Sequence, residues 1–381
     1  MCLRKYKSKL LLLLLLSTVS ICGFSQDLKQ KDLKSLKNSY SPFFYIGAAI
    51  NEDIILDNDL NSKKLVINQF NTITPENSLK WMFIQPNPNS FNFKVSDKYV
   101  NLGIENSMHI VGHALIWHSQ LADFMQNLES KSKMKFYFEN HINTVVSRYA
   151  GQIDAWDVVN EAFNEDGSYR ESIFFKLLGK NYIEKAFELT HNADPNAQLI
   201  YNDYNLYKKE KRDGVVKMVK DLKLKGVKID GVGVQAHWSL NHPSLDEIEQ
   251  TILDISNLGV DVLITELDIS VLPNPWEQLG AEVSQNFSKF EGDPKMSPYP
   301  KKLPRSIQNK LANRYRDIFE LFLKHSDKIS RVTFWGVMDK HSWLNDWPIK
   351  GRINYPLLFD REYKAKQAHK ALIELIANKK D

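Results

Sequence analysis

The chain has 381 residues, of which 43% are hydrophobic, 25% charged and 11% aromatic, and these proportions exclude disordered, collagen-like and disulfide-scaffold chains. Fifty Lys and Arg residues against forty-six Asp and Glu residues give a net charge of +4, too small an excess to indicate a nucleic-acid-binding protein. Two cysteines cannot build a disulfide framework or a four-thiolate metal site, so a globular chain with ordinary hydrophobic cores is expected.

The basic excess is concentrated at the start of the chain. Four Lys or Arg residues stand within the first nine positions and precede an unbroken leucine run, residues 10–16. Small and apolar residues continue to Cys22, and Gly23-Phe24-Ser25 fits a small-x-small cleavage site. This order predicts a signal peptide over residues 1–25, cleaved after Ser25. Its removal takes away four basic residues, no acidic residue and both cysteines, which leaves a chain without net charge.

Two alternatives compete with a cleaved signal peptide. A membrane anchor would need roughly 20 apolar residues, whereas the apolar run here has only about 13. A lipid attached at Cys22 is the other alternative, and Ile21 directly before that cysteine fits it poorly. No later segment resembles a membrane span. We therefore expect an exported protein, secreted or periplasmic, whose mature form does not bind a membrane.

The rest of the chain alternates between strand and helix patterns. Residues 26–40 are polar and Lys-rich with spaced leucines, and they predict a short lead-in helix. Helical spacing then recurs in Phe174–Thr190, Val215–Lys225, Leu245–Leu258 and Asn309–His325. Between such segments lie eight short apolar runs, Phe44–Ile50, Thr72–Pro75, Met108–Trp117, Ile153–Asn160, Gln198–Tyr204, Gly231–His237, Val262–Asp268 and Val332–Val337. The alternation predicts an α/β fold, a single (β/α)8 TIM barrel over residues 41–381.

Two connections in this pattern are long. Residues 77–107 follow the second strand, and residues 271–305 follow the seventh and contain six prolines. A linker between domains is a competing interpretation of the second segment. Its length and its aromatic residues Trp276 and Phe287 favour an elaborated barrel loop.

Polar side chains follow the predicted strands at the point where each strand ends, which is where barrel enzymes place their active sites. Glu161 and Glu266 each follow an apolar strand directly, and they are separated by three strand–helix units. Two carboxylates in one cleft are the residues that cleave glycosidic bonds, one as a proton donor and the other as a nucleophile or as a base toward water. A pair of ordinary strand-end acids in salt bridges is the alternative.

A histidine accompanies the second carboxylate. His237 at the end of the sixth strand can donate a hydrogen bond to Glu266, and Asp268 can orient the imidazole from its other side. A buried network that only fixes strand register is one alternative. A metal site built from His113, His118, His237 and Asp268 is another, but no HxH or HExxH spacing occurs. We expect neither a metal nor another cofactor.

Tryptophans supply the second element of a sugar site. Flat indole rings offer a large rigid surface to the apolar faces of sugars. Trp156 lies within a strand and is predicted to belong to the core. Five others fall at or just after predicted strand ends, namely Trp81, Trp117, Trp335, Trp343 and Trp347. Packing is the alternative for each one alone, and the pair Trp335 and Trp343 in the last loop favours a ligand.

At these residues the sequence resembles glycoside hydrolase family 10, the endo-β-1,4-xylanases. The matching segments occur in the family order and cover about residues 40–375. They are Thr74–Trp81 (TPENSLKW), Gly112–Gln120 (GHALIWHSQ), Trp156–Ala162 (WDVVNEA), Tyr201–Asn205 (YNDYN), Gly233–His237 (GVQAH), Ile264–Ile269 (ITELDI) and Thr333–Trp343 (TFWGVMDKHSW). WDVVNEA followed about 100 residues later by TELDI is the most specific part of the match. One departure is that Ala122 and Phe124 stand where the family pattern has Pro and Trp.

The resemblance implies a (β/α)8 barrel and a retaining mechanism with Glu161 as the acid/base and Glu266 as the nucleophile. It also implies that Asn160 holds the sugar 2-hydroxyl and that His237 and Asp268 form the network around the nucleophile. The positions that match substrate-binding residues are Glu76, Asn77, Lys80, His113, Trp117 and Gln120 on the glycone side, Gln235, Trp335 and Trp343 in the wall and floor of the cleft, and Tyr204 toward the aglycone side.

The expected activity is hydrolysis of internal β-1,4-xylosidic bonds by a retaining endo-β-1,4-xylanase. The expected partners are xylan and xylo-oligosaccharides, with no nucleic acid, and the expected state is a monomer. One alternative is a retaining barrel glycosidase that acts on another β-1,4-glycan, such as β-glucan. A second is a non-catalytic glycan-binding protein, which would have lost one of the two carboxylates.

Overall fold

The computed structural model describes residues 34–275 and 287–379. The predicted signal peptide, residues 1–25, lies outside these residues, and so do most of the lead-in segment and the middle of the loop after the seventh barrel strand. The end of the lead-in forms a short helix, Leu36–Tyr40, in which the Tyr40 hydroxyl donates to the carbonyl of Leu372 near the other end of the chain (2.8 Å). From Leu36 onward the described residues form one compact unit.

Ten strands occur in the described residues, and eight of them close a parallel barrel. In chain order the ten are β1 (Tyr45–Ile50), β2 (Thr72–Pro75), β3 (His109–Gly112), β4 (Ile116–Trp117), β5 (Ala155–Asn160), β6 (Gln198–Asp203), β7 (Gly231–Val234), β8 (His237–Ser239), β9 (Asp261–Ser270) and β10 (Ile329–Phe334). Leaving aside the short strands β4 and β8, each strand pairs in parallel with the next, and β10 pairs with both β9 and β1. The predicted TIM barrel is confirmed.

The helices cover the outside of this barrel. In the described part of the chain they are α1 (Leu36–Tyr40), α2 (Glu52–Ile55), α3 (Leu60–Gln69), α4 (Trp81–Ile84), α5 (Lys94–Glu105), α6 (Asp123–Gln126), α7 (Lys131–Arg148), α8 (Ile173–Leu178), α9 (Tyr182–Ala193), α10 (Lys209–Leu224), α11 (Leu245–Ser256), α12 (Arg305–Lys324) and α13 (Gln367–Lys379). Because helices shield the outer faces and side chains fill the interior, every residue of β5 and nearly every residue of β9 is buried. None of these helices is long and apolar enough to cross a membrane.

Two details differ from the sequence-based expectation. The predicted helix Phe174–Thr190 is in fact two helices, α8 and α9, because Gly179 between them adopts a φ of 75° that ends the first helix. The predicted third strand is divided into β3 and β4. This division matters for function, because β4 pairs with the end of β5, and β8 likewise pairs with the end of β9. Both short strands therefore extend the carboxyl end of the barrel.

The barrel interior requires one close approach between neighbouring strands. Gly112 at the end of β3 lies against the indole of Trp156 in β5, so closely that an added Cβ would stand 2.1 Å from a ring carbon. Trp156 is fully buried, as predicted for a core residue. A rigid buried indole cannot move aside, so only glycine fits at position 112.

We therefore expect Gly112→Ala to lower the free energy of unfolding by about 1–3 kcal/mol through overpacking. Guanidinium unfolding followed by tryptophan fluorescence measures this loss. Gly103→Ala in α5 is the matched control. Its Cβ meets the flexible side chain of Ile110, and alanine favours the helix by about 1 kcal/mol, so a smaller loss is expected. Equal stability of Gly112→Ala and the wild type would contradict this account.

Candidate active site

One cavity at the carboxyl end of the barrel collects most of the predicted site residues. Thirteen of the fifteen line it, namely Glu76, Asn77, Lys80, His113, Trp117, Gln120, Asn160, Glu161, Gln235, His237, Glu266, Trp335 and Trp343. Asp268 is fully buried behind His237, and Tyr204 is not among the lining residues. Because the strands of a parallel barrel all end on one face, residues more than 250 positions apart in the chain meet here.

The backbone at Glu161 is held in an unusual conformation. This residue directly follows β5 and has a φ of 58°, a left-handed value that a residue with a long side chain seldom adopts. Two hydrogen bonds hold it there. Its N–H donates to the carbonyl of Asn202 (2.9 Å), and its carbonyl accepts from Nε of Arg170 (3.2 Å). Such strain persists only where the surroundings impose it, which is common at functional sites.

The Glu161 carboxyl is held by three donors within the cavity. Oε2 accepts from the indole N–H of Trp117 (2.8 Å), and Oε1 accepts from the amides of Gln235 (2.9 Å) and Asn160 (3.2 Å). Burial, followed by the negative charge of Asp203, raises the pKa of Glu161 to about 7. The hydrogen bonds from Gln235 and Trp117 oppose this rise, and the charge of Glu266 adds to it. The carboxyl can therefore keep a proton near neutral pH.

Glu266 lies within β9 and has the opposite tendency. Burial favours its neutral form. The hydrogen bond from His237, the charges of His113 and His237 and the hydrogen bond from Asn202 together outweigh burial and lower the pKa of Glu266 below the ordinary value. Oε2 lies 3.2 Å from Nε2 of His237, and Oε1 accepts from the Asn202 amide at 2.8 Å. This carboxyl is therefore ionised when Glu161 is protonated.

His237 is held between two carboxylates. Its Nε2 faces Glu266, and its Nδ1 lies 3.1 Å from Oδ2 of Asp268. Burial lowers the pKa of His237, but the two carboxylates dominate and raise it to about 10. The same Asp268 oxygen accepts from the indole N–H of Trp343 (2.8 Å). Asp268 therefore fixes both a partner of Glu266 and a tryptophan of the cavity wall without lining the cavity.

Asn202 at the end of β6 is a site residue that the sequence analysis did not select. Its amide nitrogen donates to Oδ1 of Asn160 (2.9 Å) and to Oε1 of Glu266 (2.8 Å), and its own oxygen accepts from the Thr265 hydroxyl (2.6 Å). One amide thus links β5, β6 and β9. The signal was present in the sequence, because Asn202 ends an apolar run in the same way as Asn160 does.

A polar cluster lines the cavity beyond Trp117. The Lys80 ammonium donates to Asn77 (3.0 Å) and to Gln120 (2.8 Å), and it lies 5.0 Å from the centre of the Trp117 ring. Burial lowers the pKa of Lys80 and raises the pKa of Glu76, and the attraction between these two groups opposes both shifts. The cluster offers both donors and acceptors to a polyhydroxylated ligand.

Aromatic rings form another part of the cavity. Trp335 contacts His113 edge to face, with 5.2 Å between the ring centres, and Trp343 lies 4.8 Å from the ring centre of His237. Trp347 stacks on Trp343, with 4.5 Å between the ring centres. Rigid stacked rings are well suited to contact the apolar face of a sugar.

Trp81 does not belong to this wall. It is buried and stacks on His141, with 3.8 Å between the ring centres, so it packs against α7. Among residues 34–275 and 287–379, no three His, Cys, Asp or Glu side chains are arranged to hold a metal ion. His113 is one of the residues considered for a metal, and its Nδ1 forms a hydrogen bond with Oδ2 of Asp157 (2.8 Å).

The arrangement supports one type of chemistry. Two carboxyl groups open to one cavity, one protonated near neutral pH and the other ionised, with donors and flat rings around them. Divergent pKa values of this kind separate a proton donor from a nucleophile or base. Cleavage of a glycosidic bond, which joins an anomeric carbon to a leaving oxygen, uses both groups.

Comparison with known proteins agrees with this geometry. The chain matches the family model Glycosyl hydrolase family 10 over residues 35–375. The Endo-1,4-beta-xylanase A of Xylanibacter ruminicola is 40% identical over 346 residues, which cover 90% of this chain and 93% of that protein. The Beta-1,4-xylanase of Dictyoglomus thermophilum is 37% identical over 363 residues, which cover 95% of this chain and 96% of that protein. A solved GH10 endoxylanase from a sugarcane soil metagenome has a TM-score of 0.84 and 43% identity, over 90% of this chain and 100% of that one.

The difference between the two carboxyl groups can be measured directly. In protein labelled with ¹³C at the glutamate carboxyls, we expect the signal lost in Glu161→Gln to titrate near pH 7 and the signal lost in Glu266→Gln to titrate below pH 4.5. Glu266→Gln removes a negative charge, so it is expected to lower the pKa of Glu161. A Glu161 signal that titrates at the ordinary glutamate value would contradict this description of the site.

Proposed function

The chain belongs to glycosyl hydrolase family 10 and is a retaining endo-β-1,4-xylanase, and on this premise we propose that Glu161 is its acid/base and Glu266 its nucleophile. The observation that carries the proposal is that two carboxyl groups in one cavity have pKa values shifted in opposite directions. Glu161 has a pKa raised to about 7, whereas the pKa of Glu266 is lowered. A proton donor and an ionised nucleophile are what the first step of a retaining reaction needs.

In the first step the Glu266 carboxylate attacks the anomeric carbon of the xylosyl unit at the cleavage point. The bond from that carbon to the leaving oxygen breaks, and the Glu161 proton passes to this oxygen. The products are a glycosyl-enzyme on Glu266 and a shortened xylan chain with a new hydroxyl. Glu161 is now a carboxylate, and the negative charge of Glu266 has been consumed in the new bond.

In the second step Glu161 acts as a base. It removes a proton from water, and the oxygen attacks the same anomeric carbon from the side that the leaving group occupied. The bond to Glu266 breaks, and Glu266 returns as a carboxylate that His237 and Asn202 stabilise. Two inversions at one carbon give net retention.

Asn160 is proposed to hold the sugar 2-hydroxyl. Its amide oxygen accepts from Asn202 (2.9 Å) and from Gln235 (3.3 Å), which fixes the orientation of the amide. The NH₂ group then faces Glu161 and the cavity (3.2 Å to Oε1). A hydrogen bond placed there strengthens as charge develops on the sugar in the transition state.

The remaining lining residues are proposed to bind the xylan chain. Hydroxyl groups would pair with the donors and acceptors of the cluster around Lys80, and the rings of Trp335 and Trp343 would contact sugar faces. His113 is proposed to bind from the barrel centre, where Asp157 orients its ring. Tyr204 keeps its proposed place toward the aglycone side, although its hydroxyl accepts from Arg170 (2.8 Å) and its ring is nearly fully buried.

The two catalytic roles predict opposite products when azide replaces the missing group. On an activated aryl β-xylobioside, Glu161→Ala with azide is expected to form the β-configured xylobiosyl azide, because azide attacks the glycosyl-enzyme. Glu266→Ala with azide is expected to form the α-configured product in a single displacement. Without azide, both variants are expected to lose about 10²-fold or more of xylan hydrolysis. NMR of the azide products reads the configuration.

Glu171→Ala is the matched control, because Glu171 is an exposed glutamate ten residues after Glu161. It is expected to keep wild-type activity and to give no azide product. Exchanged configurations for the two site variants would show that the roles are exchanged.

Export is proposed from the amino-terminal residues, which lie outside the described structure. We propose that residues 1–25 are a cleaved signal peptide and that the mature chain is a monomeric, secreted or periplasmic barrel of residues 41–381 preceded by a short lead-in. Intact-mass analysis of the exported product is expected to give a chain that begins at Gln26. A chain that keeps Cys22 with a lipid, or one that keeps residues 1–25, would contradict cleavage after Ser25.

A further inference from the structure

A second group of polar and charged residues contacts the backbone next to Glu161 and does not line the cavity. Tyr201 and Asp203 belong to β6, and Lys211 belongs to α10. All three side chains are fully buried. Burial of an ammonium and a carboxylate carries a large desolvation cost, and the mechanism described above uses neither group. Their role therefore needs a separate account.

The first contact joins this group to the backbone of the acid/base. The N–H of Ala162, the residue after Glu161, donates to the Tyr201 hydroxyl oxygen (3.0 Å). The Tyr201 O–H in turn donates to Oδ2 of Asp203 (2.5 Å). Because a hydroxyl has one proton, the acceptor at Asp203 decides which way that proton points and leaves the oxygen free to accept from Ala162.

The second contact holds Asp203 itself. Its Oδ1 accepts from the Lys211 ammonium (2.9 Å) and from the N–H of Tyr204 (2.9 Å). Burial raises the pKa of Asp203, while Lys211 and the Tyr201 hydroxyl counteract that rise. Lys211 also reaches Glu165 (3.2 Å) and lies 3.5 Å from the centre of the Tyr204 ring. The carboxylate is thus fixed on both oxygens.

A third contact holds the carbonyl of the same Glu161–Ala162 peptide. Nε of Arg170 donates to the Glu161 carbonyl (3.2 Å), and its Nη2 donates to the Tyr204 hydroxyl (2.8 Å). The single peptide between Glu161 and Ala162 is therefore held by a side chain at its carbonyl and by another at its N–H. Both side chains connect to the segment from Tyr201 to Tyr204.

We propose that Asp203, through Tyr201 and with Lys211 as its counter-ion, positions Glu161 for proton transfer. This inference rests on the proposed function, in which Glu161 is the acid/base. Asp203 does not contact the reacting atoms. It acts through the Ala162 peptide and through its charge.

The charge of Asp203 acts among several neighbours. The titratable and charged groups around Glu161 and Asp203 are Lys80, Glu165, Arg170, Tyr182, Tyr201, Tyr204, Lys211 and Glu266. Burial is the largest cause of the raised pKa of Glu161, and the charge of Asp203 is the second largest. Glu266 acts in the same direction with a smaller effect. Removal of the Asp203 charge is therefore expected to favour the ionised form of Glu161.

The first test is the pH dependence of Asp203→Asn. The alkaline limb of kcat/KM reports the loss of the Glu161 proton, so activity falls as pH rises through this pKa. Asp203→Asn removes a negative charge and leaves Lys211 less compensated, and both changes stabilise the Glu161 carboxylate. We expect the alkaline limb to move to lower pH by about one unit.

The second test separates proton transfer from general damage. Tyr201→Phe removes one oxygen, keeps the Asp203 charge and leaves Ala162 without its acceptor. We expect its kcat/KM on xylan to fall at least about tenfold more than its kcat/KM on 2,4-dinitrophenyl β-xylobioside, because kcat/KM reports the first step and this leaving group needs no proton. A purely structural defect would lower both rates alike.

Asp339→Asn is the matched control. Asp339 is a fully buried aspartate paired with a largely buried lysine, Lys366 (2.8 Å), but it does not contact Glu161. This variant is expected to lose stability without a shift of the alkaline limb and without leaving-group dependence. If Asp203→Asn does not fold, Tyr201→Phe alone still decides the positioning role.

Glu161→Gln distinguishes the two levels of inference. It is expected to show the same leaving-group dependence more strongly than Tyr201→Phe. If it shows none, the acid/base assignment fails, and this inference fails with it. If Glu161→Gln behaves as expected while Asp203→Asn and Tyr201→Phe match the wild type in pH profile and leaving-group dependence, the role of Asp203 is overturned and the acid/base assignment stands.

Discussion

Two carboxyl groups buried in one barrel mouth impose the constraint on which the rest of the site depends. An isolated charge in such a place costs on the order of several kcal/mol, and two negative charges close together cost more. The structure meets this constraint asymmetrically. Glu266 receives hydrogen bonds from His237 and Asn202 that favour its ionised form, while Glu161 faces burial and the charge of Asp203 and favours its neutral form. The asymmetry divides the work of the two groups.

The same constraint explains the polar residues around the pair. Asn202 ties Asn160 to Glu266, Gln235 ties Asn160 to Glu161, and each amide is oriented by the hydrogen bonds that its other atoms make. Half of such a network would leave buried donors without acceptors, which costs more than the bonds contribute. The polar strand ends therefore act as one set, and a change in one residue affects the orientation of the next.

Much of this arrangement was predictable from the sequence for physical reasons. Apolar runs that end in polar residues predict parallel strands whose carboxyl ends meet, and thirteen of the fifteen predicted residues do line one cavity. Trp81 shows that a position after a strand end does not by itself place a side chain in the cavity. It follows a strand end as Trp117 does, yet it packs on His141, because the direction of a side chain after a turn is set by its neighbours. Gly179 likewise divided a helix that apolar spacing alone predicted to be continuous.

The sequence by itself determined the barrel, the two carboxylates and the family resemblance, because strand periodicity and residue types at strand ends are local properties of the chain. Only the tertiary structure decided which groups touch. The bridge through Asn202, the chain of contacts from Ala162 to Asp203 and the opposite pKa shifts of the two glutamates depend on distances between strands. Burial and charge act through space, so residues far apart in sequence set the proton affinity of each carboxyl, and the fold has to place them before their chemistry is defined.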